Sequence, residues 1–272
     1  MKLAYMYATP EVAPAKVTAI QGDPEHAFAA IAAEGFSGVE LLVRDPRAFD
    51  HDRLEAQIRA AGLEMPAVCT GEVYGEDLLS FADPDPARRA EAIERMLSAM
   101  DFAARFGAMV NVGRLRGRYR DDVPADATEA LILDAFRTVA DARPDTRVVL
   151  EPVNHLYANY LTSTAAACDF ADLVARPNVG LMLDMAHITI EGEAHAESLA
   201  AAGDRLWHYH ITDSDRLACG EGTWDIGAAL DELRATGFDG WITAEHFQSP
   251  DAMSAMRQSA RWLAEYRAAR GL

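Results

Sequence analysis

Residues 147–151 read RVVLE, a short β-branched run that ends on a carboxylate, Glu151. Apolar residues without polar alternation mark a strand buried on both faces. Three runs of the same kind follow. They are VGLML (179–183) with Asp184 next, LWHYHI (206–211) with His210 near its end, and GWITAE (240–245) ending on Glu245. Towards the N-terminus, LAYMY (3–7), GVELL (38–42), MPAVC (65–69) and AMVNV (108–112) repeat this character. Ala-rich helical patterns lie between the runs, at about 23–34, 50–61, 86–106, 126–142, 163–176, 195–202, 226–235 and 251–270.

Asp and Pro open several of these helices, as in GDPEHAF and DPDPARRA, which is N-cap and N1 chemistry. Gly35, Gly62, Gly107 and Gly237 follow helices, at positions suited to a left-handed C′ residue. Eight strands alternating with eight helices predict an α/β chain, a closed (β/α)8 TIM barrel forming a single domain over residues 1–272. A doubly wound open sheet is the rival. It ordinarily carries a Gly-rich phosphate loop after its first strand, and ATPEVAPAK is not one.

The formal charge is −18, from 25 basic and 43 acidic side chains. That balance disfavours nucleic acid and anionic membranes as partners. Cys69, Cys168 and Cys219 are scattered, which implies neither a disulfide framework nor a zinc–thiolate site and makes a reducing cytoplasm the expected location. The N-terminal apolar run is broken by Thr9, Pro10 and Glu11, too early for a signal-peptide core.

Glu151, Asp184, His210 and Glu245 fall at the ends of four successive strands, at intervals of 33, 26 and 35 residues. In a barrel such ends meet on one rim, where the active site is built. Three carboxylates that close repel one another unless a cation neutralises them. With the imidazole they make a ligand set for one divalent ion, Mn²⁺, Co²⁺, Mg²⁺ or Zn²⁺; oxygen-rich ligation leans towards the harder ions, and ligand type alone does not choose among them. Taken singly, each acid has the bland alternative of a helix N-cap.

His187, in DMAH, and Arg216, in HITDSDR, are expected on loops above this cluster, as substrate-binding groups. Arg216 also has Asp213 and Asp215 as ordinary ion-pair partners. His208, one layer deeper than His210, reads as structural. The segment NVGRLRGRYR (111–120) is either a solvated loop or an anion clamp with Arg114 foremost.

The motifs LEPVN (150–154), LDMAH (183–187), HITDSDR (210–216) and AEHF (244–247) resemble those of xylose-isomerase-like TIM barrels. Within that group the chain looks like the ketose 3-epimerases, which include D-tagatose and D-psicose 3-epimerases. VELLVRDP (39–46), the CTG to DLLSFADPD stretch (69–85), VGRLRGR (112–118) and GEGTWDI (220–226) are similar to the 5-keto-L-gluconate (uronate) branch. The resemblance implies a metal-dependent epimerase that inverts C3 of a keto-sugar or keto-sugar acid through a cis-enediolate. Glu151 and Glu245 would then be both ligands and acid/base. His187 and Arg216 match positions that steady substrate oxygens. A homodimer or homotetramer is also implied.

One position departs from the family. A second glutamate often lies six residues after the first metal glutamate, and here that residue is Tyr157. A phenol donates a hydrogen bond but carries no charge at neutral pH. Aldose–ketose or hydroxypyruvate-type isomerisation, and dehydration of a keto-polyol, therefore stay open on the same residues. An apurinic endonuclease of the superfamily and a non-catalytic sugar-binding barrel are the more distant alternatives.

Overall fold

Lys2–Ala8 forms β1, followed by α1 (Pro24–Ala33), β2 (Gly38–Leu42), α2 (His51–Ala60) and β3 (Ala67–Cys69) in a computed structural model that describes residues 1–272. Next come α3 (Gly71–Asp77), α4 (Pro86–Ala104), β4 (Met109–Val112), α5 (Ala125–Ala142), β5 (Val148–Leu150), α6 (Thr164–Val174) and β6 (Val179–Asp184). The chain continues through α7 (Met185–Glu191), α8 (His195–Ala202), β7 (Leu206–Ile211), α9 (Ile226–Ala235), β8 (Trp241–Ala244) and α10 (Ala252–Ala269). Each strand pairs in parallel with the next, and β8 returns to β1. The sheet is thus a closed eight-stranded barrel, as the alternation predicts.

Strand side chains alternate between two faces. Ala67, Met109, Val149 and Met182 pack together in the barrel interior. Two residues further along each of these strands stand Cys69, Asn111, Glu151 and Asp184. The same step on β7 and β8 runs from His208 to His210 and from Thr243 to Glu245. The inner layer is thus apolar on β3 to β6 and polar at His208 and Thr243, and a polar layer overlies it at the C-terminal mouth. Val68, Val110, Val148 and Leu181, at the alternate positions, belong to the larger core that includes buried residues of the surrounding helices. Asp184 stands opposite His210 in the β6–β7 register.

Asp23 and Asp85 cap α1 and α4, each accepting from a backbone N–H of the first turn. Gly35, Gly62, Gly107 and Gly237 all have positive φ, between +64° and +91°. Two helices go beyond the expected eight, α3 and α7. Each is seven residues long, α7 following β6 directly and α3 following β3 after one residue, Thr70. Elements this short complete fewer than two turns, so periodicity does not reveal them.

The loop after β4 is tied down by Arg116, which is fully buried. Its guanidinium donates to the carbonyls of Gly113, Glu151, Tyr160 and Leu161. Burial pushes this group down to about 10, still far above neutrality. Arg116 thus clamps the backbone at Glu151 to the neighbouring loop. Substituting Arg116→Met leaves four carbonyls without this donor and is expected to destabilise the fold by roughly 3 kcal/mol or more. Chemical denaturation checks it, and an unchanged midpoint would rule the clamp out.

Candidate metal centre and active site

Strand alternation and barrel closure bring Glu151, Asp184, His210 and Glu245 together. One ligand atom from each lies within 4.8 Å of those of the other three. Glu151 and Glu245 stand one residue beyond β5 and β8, and their backbone N–H groups still bond to Val112 and Ile211. Asp184 and His210 are within their strands.

Each member is braced. The amide of Asn111 donates to Glu151 Oε2 at 2.9 Å. Thr18 donates to Glu245 Oε1 at 2.7 Å. Asp184 caps α7 by accepting from Ala186 N at 2.7 Å through Oδ1, while Oδ2 accepts from Arg216. The N-cap alternative is therefore true of Asp184 together with its place in the cluster. Gly113 passes so close that an added Cβ would lie 2.5 Å from Glu151 Oε2.

Burial and charge set the protonation of the group. Burial pushes Glu151 up to about 7, and the nearby Glu245 and Asp184 push the same way against His210 and Asn111. For Glu245, burial is outweighed by Arg216 and His210, which hold it well below the ordinary carboxylate range. His210 is held well above the ordinary imidazole value, because Glu40 and Glu245 outweigh its burial. Burial and Arg216 hold His187 well below that value, so it is neutral.

His187 and Arg216 both reach the cluster, His187 from α7 and Arg216 from the loop after β7. His187 lies in α7, its Nδ1 2.8 Å from Asn154 Nδ2 and its Nε2 3.6 Å from Glu151 Oε1. Arg216 lies in a 3₁₀ turn, Ser214–Arg216, with positive φ at Asp215 and Arg216. Its Nη1 is 2.7 Å from Asp184 Oδ2 and 3.0 Å from Glu245 Oε2, so these two acids are its partners. Asp213 instead accepts from the backbone of Ser214, Gly220 and Trp224 and holds the loop in shape.

A pocket opens over the cluster. Its wall includes Lys16, Cys69, Arg114, Val153, Tyr157 and Phe247 beside the site residues. Arg114 is in this wall, but its Nη2 is 2.5 Å from Glu72 Oε1. Of the other arginines in that segment, Arg116 is the buried clamp, Arg118 is exposed, and Arg120 pairs with Asp122. Tyr157 is 43% exposed, with its ring 6.3 Å from that of His187. The cysteines are free and buried.

Sequence inspection passes over Glu40, Asn111, Asn154, Thr18 and Arg116. Glu40 and Asn111 had a signal, a polar residue in the middle of an apolar strand. For Thr18, Asn154 and Arg116, nothing in the local sequence points inward.

Residues 28–266 match the family model described as xylose isomerase-like TIM barrel. The chain belongs to this family and to the isomerase class of enzymes. It is 28% identical over 243 residues to 3-dehydro-D-guloside 4-epimerase of Escherichia coli, covering 84% of this chain and 89% of that protein. It is 30% identical over 228 residues to L-ribulose 3-epimerase of Methylomonas sp., covering 82% and 78% respectively. Among solved structures, an L-ribulose 3-epimerase superposes with a TM-score of 0.82 at 21% identity, covering 99% of this chain and 96% of that one. A 3-keto-D-glucoside 4-epimerase from E. coli gives 0.78 at 24% identity, covering 97% and 99%. At these identities the superpositions show the fold. No helix is long and apolar enough to cross a membrane.

Gly113→Ala is expected to push the Glu151 carboxylate out of place and to destabilise the protein by about 1–3 kcal/mol. A crystal structure of the variant with Glu151 unmoved, together with an unchanged denaturation midpoint, would refute this.

Proposed function

We propose that the protein is a divalent-metal-dependent epimerase that inverts C3 of a keto-sugar or keto-sugar acid. The observation that carries this reading is the pair Glu151 and Glu245. They approach one pocket from β5 and β8, three strands apart in a ring of eight, so they flank whatever binds between them. The 3-epimerase relative and the 4-epimerase relative support the same reaction class.

The donor set fits a divalent ion, since three carboxylates and one imidazole converge in a buried space. Glu151, Asp184, His210 and Glu245 would hold it, with Mn²⁺, Co²⁺, Mg²⁺ and Zn²⁺ all compatible with such ligands. When bound, the ion supplies Lewis-acid stabilisation of the negative charge that develops beside the carbon losing its proton.

The chain's own groups then divide the work. Glu245 takes the C3 proton on one face, and Glu151 carries a proton to the opposite face. One C–H bond breaks and another forms, and the two carboxyls exchange protonation states. Reaction in the other direction, or exchange with water, resets them. His187 and Arg216 steady the substrate oxygens, and the apolar wall at Val153 and Phe247 excludes water.

In deuterated water, turnover of a ketose is expected to place deuterium at C3, read by NMR. Glu151→Gln is expected to reduce that exchange at least 10²-fold, the usual share of a general acid/base. Exchange that survives the substitution would remove Glu151 from the chemistry. Label at C4 would instead move the reaction one carbon along, as the name of the E. coli relative describes for that protein.

Lys16 bears on the substrate's far end. Arg114 and Arg216 in the pocket wall are both paired with acids, whereas Lys16 has no carboxylate partner and lies 4.7 Å from the Phe247 ring. A keto-sugar acid would place its carboxylate there. Lys16→Gln is then expected to lower kcat/KM for a keto-sugar acid by about 2- to 5-fold, the size of an exposed ion pair. The neutral ketose is expected to be unaffected, and equal losses on both substrates would remove Lys16 from recognition.

A further inference from the structure

Beneath the four clustered residues lies a second polar group that their chemistry does not use. Glu40 in β2 and His208 in β7 are completely buried, in the midst of apolar strands. His208 Nε2 is 2.7 Å from Glu40 Oε2, and His210 Nε2 is 3.0 Å from that same oxygen. His208 Nε2 is also 3.0 Å from Thr243 Oγ1. The other Glu40 oxygen and His208 Nδ1 have no hydrogen-bond partner. Burying a carboxylate is unfavourable unless its surroundings repay the lost hydration. A pair held in the barrel interior at such a penalty calls for a role.

The geometry supplies one. A carboxylate accepts hydrogen bonds and donates none, so both ring nitrogens facing Glu40 must carry their hydrogens. His210 Nδ1 lies 3.0 Å from Glu245 Oε2 and faces the cluster, so the hydrogen it shares with that carboxylate is the one a bound ion displaces. We propose that Glu40 is a positioning residue, which fixes His210 in the Nε2–H form with its Nδ1 lone pair aimed at a bound divalent ion. His208 is the second donor that keeps the shared oxygen in place. The proposal rests on the reading of the cluster as a metal centre. An imidazole ligand oriented by a carboxylate on its far nitrogen is a recurrent way to set tautomer and basicity, and losing such a partner typically weakens metal affinity 10- to 100-fold.

The test uses the full-length protein and Mn²⁺ alone. Isothermal titration is expected to show Glu40→Gln binding Mn²⁺ 10- to 100-fold more weakly than wild type. Long-range ¹H–¹⁵N spectra of the Mg²⁺-loaded protein are expected to show His210 as the Nε2–H tautomer in wild type and as a mixture in the variant. A purely structural role would lower the melting temperature without moving the His210 nitrogen signals. If Glu40→Gln does not fold, Glu40→Asp keeps the charge but draws it back by one methylene, and the same two changes are expected. Mn²⁺ binding equal in wild type and variant overturns the proposal alone. Failure of wild type to bind Mn²⁺ overturns the metal-centre reading and takes the proposal with it.

Discussion

Three carboxylates and an imidazole are crowded into one buried space, and much of the local structure answers that crowding. Like charges at such separations in a medium poorer than water repel strongly. Here the repulsion is relieved by two cations. Arg216 reaches down between Asp184 and Glu245, and His210 lies between Glu245 and Glu40. The relief is uneven. Glu245 touches both cations and stays ionised, while Glu151 touches neither and is pushed up to about 7. Two chemically identical side chains thereby acquire different proton affinities.

The supporting groups keep this arrangement from relaxing. Arg116 holds the backbone at Glu151, Asn111 holds one of its oxygens, and Gly113 leaves room for it. Asp213 shapes the turn from which Arg216 enters, and Thr18 crosses from the first loop to Glu245. Arg116, Asn111, Gly113 and Thr18 all lie far in sequence from the group they support, whereas Asp213 is three residues before Arg216. Asp184 combines two duties, because its place at the end of β6 makes it both the cap of α7 and a member of the cluster.

The barrel was legible from the chain because each strand announces itself by composition and each long helix by its caps. The cluster was legible because a parallel barrel converts equal spacing into spatial convergence. Glu151, Asp184, His210 and Glu245 needed only the rule that strand ends meet. Glu40 stood out as a carboxylate in the middle of GVELL, but that run shows nothing of which strand faces it across the interior. The short helices α3 and α7 were hidden by their length. Arg216 was expected over the cluster and Arg114 as an anion clamp, and only the fold decides that Arg114 meets Glu72 at the pocket wall while Arg216 meets Asp184 and Glu245.

The sequence by itself determined the strand order, the eight longer helices, the closed barrel and the identity of the four clustered residues, since these follow from local composition and strand spacing. The tertiary structure decided which partner each charged side chain meets. Glu40 under His210, Asn111 and Arg116 at Glu151, and the partnerless Lys16 all depend on inter-strand register and loop path. Those are properties of packing between segments far apart in the chain, and no local stretch of sequence encodes them alone.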